Sequence, residues 1–262
     1  VINDKINFKE LIDIILNITN YCTMNCKHCL NNSNESGTHM KTKIFNDSID
    51  KIKLWNPMAL LISGGEPTDH PDFIEIVKYT KDRLKNTKIM IISNGLFTLE
   101  EIRVNKYKKL DVTFQITHDN KYYKKDIKII DYDKFIYCDT IPSELYNIGR
   151  ARNIDYKFTN KPKCVNFRSF IVSGLSFKDT IKSSELRIKL CNPVIHPNGN
   201  ITIGETNSCY VVGDIYDDDK TIENNIKNFT HDKCNKCNGF NNISKVDIDT
   251  LEKMYSQYGI KF

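Results

Sequence analysis

Three cysteines fall within eight residues, Cys22-Thr-Met-Asn-Cys26-Lys-His-Cys29, directly after the apolar, β-branched run Leu11 to Thr19. A run of that kind suits a buried strand, so the chain leaves a sheet and wraps at once around something that thiolates bind. Nine cysteines are many for a chain whose opening, VINDKINFKE, has neither a long apolar run nor a small-residue cleavage site. No later stretch approaches the roughly 20 apolar residues of a membrane span. The expectation is a cytoplasmic protein with reduced thiols, in which cysteine spacing signals metal ligation rather than disulfides. Three thiolates can wrap an iron-sulfur cubane and leave one iron open to chelate a small molecule. A zinc site would want a fourth ligand, for which His28 is near but poorly placed between two ligands.

The rest of the chain reads as alternating strands and helices. Apolar runs recur at Ala59 to Ser63, Lys88 to Ser93, Asp111 to Thr117 and Phe135 to Ile141, and the stretches Thr42 to Trp55 and Pro71 to Leu84 carry apolar residues at helical spacing. Such alternation predicts an α/β fold, a partial (β/α) barrel of five to six parallel strands that binds ligands at the carboxyl ends of its strands. Beyond Ile141 the alternation is lost. The expected organisation is a barrel over 1–142, a connecting segment over 143–190 and a small loop-rich domain with a C-terminal helix over 191–262. The net charge of +5 comes from 38 basic residues scattered among 33 acidic ones, which predicts neither a nucleic-acid nor a membrane partner.

Two further motifs sit at strand ends. Ser63-Gly64-Gly65-Glu66-Pro67 follows the second run, where two glycines allow close backbone approach and Glu66 offers a carboxylate, and Ser93-Asn94-Gly95 closes the third. Each alone would pass for an ordinary turn. Their order, C-x3-C-x2-C after strand one, GGEP after strand two and a small polar turn after strand three, resembles the radical S-adenosylmethionine superfamily over roughly the first 140 residues.

That resemblance implies a [4Fe-4S] cluster on Cys22, Cys26 and Cys29, with S-adenosyl-L-methionine chelating the open iron and His28 shielding the cluster near the adenine. It places Gly64, Gly65 and Glu66 by the methionine amino group, and Ser93, Asn94, Gln115 or Thr117 by its carboxylate or the ribose. It implies one-electron reduction of the sulfonium by a flavodoxin- or ferredoxin-type reductant, and a 5'-deoxyadenosyl radical that takes a substrate hydrogen.

Toward the C-terminus the pattern Cys191-x12-Gly204-x4-Cys209, with a later Cys234-x2-Cys237, could close a zinc site or a full cluster. Beside the motifs above it resembles the shortened auxiliary-cluster domain called twitch, since the further cysteines of the longer SPASM form are missing after Cys237. The segment Gly149-Arg150-Ala151 is similar to the link between barrel and auxiliary domain in these families. A second, fully ligated [4Fe-4S] cluster is therefore expected. Cys138 and Cys164 read first as small buried hydrophobes, with hydrogen-atom donation to a substrate radical as the alternative. The substrate class implied is a natural-product precursor, foremost a ribosomal peptide undergoing epimerisation, thioether or carbon-carbon bond formation. Dehydrogenation of a small-molecule alcohol, as in aminocyclitol dehydrogenases, is the alternative, and a non-catalytic metal-binding module is the reading from another class.

Overall fold

Every position of β1 (Asp13–Asn17) is buried, as are four of the five in β2 (Ala59–Ser63), the signature of parallel strands covered on both faces. The computed structural model describes residues 13–118, 126–138, 149–150, 174–182, 191–204, 206, 209–229 and 248–257. Parallel ladders join β1 to β2, β2 to β3 (Lys88–Ser93), β3 to β4 (Thr113–Thr117) and β4 to β5 (Phe135–Cys138). On the other side of β1 lies β6 (Pro193–Ile195), also parallel, followed by the antiparallel β7 (Asn200–Ile203) and β8 (Tyr210–Asp214). The strand order is β5-β4-β3-β2-β1-β6-β7-β8. Six strands are thus parallel, in an open, barrel-like α/β sheet. The segment from 191, read from sequence as the start of an appended domain, contributes its first three strands to this same sheet.

The period-two alternation assigns the two faces. Ile14, Leu16, Leu60, Ile62, Ile91, Phe114 and Ile116 pack against the apolar stripes of α1 (Thr42–Trp55), α2 (Phe73–Arg83), α3 (Glu101–Lys108) and α4 (Asp219–Lys227). Ile15, Ala59, Leu61, Met90 and Val194 form a separate cluster on the opposite, inner face, capped by Leu175. Tyr255 of α5 (Ile248–Gln257) is buried and donates to the Leu175 carbonyl at 3.1 Å, anchoring that cap.

Three sequence boundaries shift for local reasons. The strand expected from Asp111 begins at Thr113, because Asp111 itself is left-handed (φ 54°). The helix expected from Pro71 begins at Phe73, after a 3₁₀ turn over Pro67–Asp69. The strand expected from Leu11 runs from Asp13, and residues 11 and 12 lie outside the described set. Among the described residues no helix is long and apolar enough to cross a membrane.

Candidate active site

The loop that carries the first cysteines springs from the carboxyl end of β1 and is pinned there by backbone hydrogen bonds. Ile18 N–H donates to Ser63 O (3.0 Å), Gly65 N–H to Thr19 O (2.7 Å) and Glu66 N–H to Tyr21 O (2.8 Å). Both glycines of GGEP are required by this approach. A Cβ on Gly64, whose φ is +140°, would stand 2.2 Å from Thr19 O, and one on Gly65 would stand 2.2 Å from Tyr21 O. The returning arm closes the loop base through Met40 N–H to Ile18 O and Asn20 N–H to Thr38 O, each 2.8 Å.

Inside this loop Cys22 and Cys26 are buried and Cys29 is half-buried, packed with Met24 and Leu96. Burial pushes the Cys22 thiol up to about 11 and Cys26 up to about 12, the neighbouring thiols adding to the rise and Arg150 opposing it at Cys26. A bound cation reverses that preference, since coordinated thiols lose their protons. The Asn94 side-chain amide donates to Cys22 Sγ at 3.8 Å, while its oxygen accepts from Leu96 N–H at 2.9 Å. The aromatic cluster beneath, where Phe97 meets Tyr107, Phe114 and Phe135 edge-on or tilted, holds this turn in place. His28 is half-buried between the second and third cysteines. Among the described residues no group of three or more His, Cys, Asp or Glu is placed to hold a single metal ion.

Glu66 lies between the two polar turns. Its carboxylate is fully buried and accepts from Thr68 N–H (3.1 Å), Thr68 Oγ1 (2.6 Å), Ser93 Oγ (2.8 Å) and Asn94 N–H (2.7 Å). Burial raises its affinity for a proton and these donors hold it down. The side chain therefore links the GGEP turn to the Ser93-Asn94-Gly95 turn from within. Ser93 is drawn into the same link, since Oγ also accepts from Gly95 N–H at 3.0 Å.

The inner face changes character along the strands. Apolar through its middle, it becomes polar at the carboxyl end, where alternation places Asn17, Ser63, Gln115, Thr117, Cys138 and His196 on the same side as Ile15 and Leu61. Cys138 pairs in register with Thr117 and its thiol lies 3.7 Å from Ile136 O. His196, which sequence reading missed, follows β6 directly. Its Nε2 lies 2.7 Å from Thr202 Oγ1, and the Thr202 hydroxyl donates to Gly204 O at 2.9 Å. The single hydroxyl proton being spent, Nε2 carries the imidazole proton and Nδ1 faces the Asn17 amide at 3.4 Å. Burial pushes this imidazole down to about 4. Unfolded histidine takes up a proton below about pH 6.5 and the folded one does so only near 4, so stability falls as pH drops through that window, by roughly 3 kcal/mol. His196→Gln is expected to lose that slope, so denaturant midpoints at pH 7 and 4.5 should differ less in the variant than in the wild type.

Residues 16–138 match the family model described as the Radical SAM superfamily. The chain contains a radical SAM domain. An AdoMet-dependent heme synthase of Methanosarcina barkeri is 31% identical over 113 residues, covering 39% of this chain and 32% of that protein. A mycofactocin maturase of Mycobacterium ulcerans is 36% identical over 63 residues, 24% of this chain and 17% of that one. The chain thus spans about a third or less of the length of these curated relatives. Among solved structures, BtrN in complex with AdoMet and 2-DOIA superposes with a TM-score of 0.54 at 16% identity, covering 87% of this chain and 93% of BtrN.

A radical SAM domain implies a [4Fe-4S] cluster and S-adenosylmethionine. The donor set fits that pair: three thiols in one loop at the carboxyl ends of the strands, one of them accepting an amide hydrogen bond, with two glycines seating the neighbouring turn against the loop's backbone. Of the second cysteine set, Cys191 and Cys209 are described, while Cys234, Cys237 and Cys164 lie outside the described residues. Cys191 and Cys209 converge on Gly204. A Cβ there would stand 2.7 Å from Cys209 Sγ and 3.9 Å from Cys191 Cβ, and Gly204 N–H donates to Asn192 O at 2.9 Å. The glycine of C-x12-G-x4-C is thus where the two cysteine side chains need room.

Proposed function

We propose that this enzyme generates a substrate radical at the carboxyl end of its sheet, with Cys22, Cys26 and Cys29 as the cluster ligands and the polar end of the inner face as the substrate floor. The observation that carries this reading is the mutual pinning of cysteine loop, GGEP turn and Ser93-Asn94-Gly95 turn, which sets Cys22, the first of three clustered thiols, beside a buried amide. When bound, the cluster and S-adenosylmethionine supply a 5'-deoxyadenosyl radical able to take a hydrogen atom. The chain's own residues supply position and shelter. Gly64 and Gly65 let the turn's backbone approach, Glu66 and Ser93 hold the two turns together, and Asn94 steadies Cys22. Gln115, Thr117 and His28 would meet the cofactor's ribose, carboxylate and adenine. Asn17 and His196 offer polar contacts to substrate.

The substrate we propose is a ribosomal peptide precursor, supported by the 36% identity to a mycofactocin maturase. The overlap with BtrN along 93% of that chain favours a second reading, oxidation of a small alcohol. In either case Cys191 and Cys209, with Cys234 and Cys237, would hold an auxiliary [4Fe-4S] cluster that accepts an electron, and a flavodoxin- or ferredoxin-type protein would supply the first one. Cys138, on the inner face beside Thr117, and Cys164 are the candidate hydrogen-atom donors.

Anaerobically reconstituted protein is expected to hold about eight irons and to form 5'-deoxyadenosine when reduced with S-adenosylmethionine. Deuterium passing into 5'-deoxyadenosine from labelled precursor peptides supports maturation, and transfer from labelled cyclitol alcohols supports the second reading. Zinc in place of iron with no cleavage would sink both.

A further inference from the structure

The dipeptide Gly149-Arg150 lies 120 residues downstream of the cysteine loop, yet its polar groups close on that loop, at a part of it the GGEP turn does not bond. Arg150 N–H donates to Cys29 O (2.9 Å), its Nε to Cys26 O (2.8 Å) and its Nη2 to Ser33 O (2.8 Å). Gly149 is left-handed (φ +56°), and a Cβ there would stand 2.2 Å from Leu30 O and 2.5 Å from Cys29 O. Carbonyls from three positions of one loop therefore point their negative ends at one guanidinium and its own backbone, in a geometry a planar fork satisfies and an ammonium cannot.

We infer that Arg150, seated by Gly149, is a positioning residue that locks the Cys26–Ser33 half of the cluster loop and lends it positive charge. The inference rests on the cluster assignment proposed above. Two consequences follow from the geometry. The loop is ordered before any metal arrives, because all three hydrogen bonds are between protein groups. A cation held beside Cys26 also stabilises a cluster that has gained an electron, so the guanidinium raises the potential at which the cluster is reduced. A guanidinium committed to backbone carbonyls is not a substrate-binding group, so Arg150 acts through the loop.

The test uses the full chain, metal-free and reconstituted, as wild type, Arg150→Ala and Arg150→Lys. In metal-free Arg150→Ala, amide hydrogen exchange over residues 22–34 is expected to quicken about tenfold or more, as loss of charge-assisted hydrogen bonds predicts, with β1 to β5 unchanged. In the reconstituted protein the potential of the S-adenosylmethionine-binding cluster, followed by electron paramagnetic resonance during a redox titration, shifts downward. Arg150→Lys should recover most of the potential through its charge but little of the exchange protection, a split that a merely structural role would not give. Identical exchange and identical potential in iron-replete wild type and Arg150→Ala overturn the inference. A wild type that takes up no iron overturns the cluster assignment instead. Should Arg150→Ala unfold altogether, raised exchange confined to residues 22–34 in Arg150→Lys supports the inference and unchanged exchange there overturns it.

Discussion

Replacing Cys22, Cys26 and Cys29 together by alanine is expected to abolish 5'-deoxyadenosine formation and to lower the iron content from about eight to about four per chain. The halving, rather than a total loss, follows from where the two cysteine sets sit. The first lies in a loop beyond the carboxyl end of β1. Cys191 immediately precedes Asn192, whose amide bonds Asp13 at 2.9 Å, and so it belongs to the amino end of the same strand. Cys191 and the first set thus lie at opposite ends of β1, so emptying the first should leave iron held by the second in place. The three thiols pack chiefly with Met24 and Leu96, and their loss should leave the sheet folded, which far-ultraviolet circular dichroism checks. Iron falling to nothing would mean that the C-terminal cysteines hold no cluster of their own. Persisting cleavage would mean that the open iron lies elsewhere.

Gly65→Ala should do comparable damage by a different route. A methyl group at this position would stand 2.2 Å from Tyr21 O and 2.8 Å from the carbonyl carbon, and since both are backbone atoms no side chain can turn aside. Either the GGEP turn or the cluster loop has to withdraw. Withdrawal breaks the 2.7 Å and 2.8 Å hydrogen bonds that join them, and through Glu66 it disturbs the Ser93 and Asn94 contacts as well. We expect a loss of about 3 kcal/mol or more, seen as a melting temperature lower by roughly 6–12 °C, with little iron retained after reconstitution. A variant with wild-type melting and full iron would refute the claim that turn and loop are locked together. Glu66→Gln is gentler, since an amide keeps the shape while losing acceptor capacity, and so it does not compete with Gly65→Ala as a test.

What could be read from the sequence was local. Thr42–Trp55, Ala59–Ser63 and Lys88–Ser93 come out with the boundaries that periodicity predicts, because each element buries a face whose repeat is written into consecutive residues. The cysteine spacings and the glycines of GGEP were equally legible as motifs. The partners of a motif were not. Nothing near Glu66 in the chain says that its carboxylate is consumed by Thr68, Ser93 and Asn94, and nothing near Arg150 says that it faces Cys26. The same holds for β6: Pro193–Ile195 is too short to announce itself, and its pairing with β1 is a contact across some 180 residues, 179 in the case of Asn17 and His196. The α3 helix escaped notice because its apolar stripe is narrow, with Val104 and Tyr107 its buried residues. His196 gave no signal beyond being a histidine after an apolar pair.

The inner face carries one more consequence. Between its polar rim and the end where Cys191 and Cys209 meet lie Ile15, Ala59, Leu61, Met90 and Val194, closed off by Leu175. That span is about the length of β1, roughly 16 Å at strand rise. Water and hydronium have no foothold among such side chains, whereas an electron needs none. On the proposal that Cys191 and Cys209 help hold an electron-accepting cluster, a substrate oxidised above this layer would part with its two charges in different directions, the electron downward through the hydrocarbon and the proton back toward the open mouth. The sheet would then act as a charge separator, in which recombination is opposed by the thickness of its own floor.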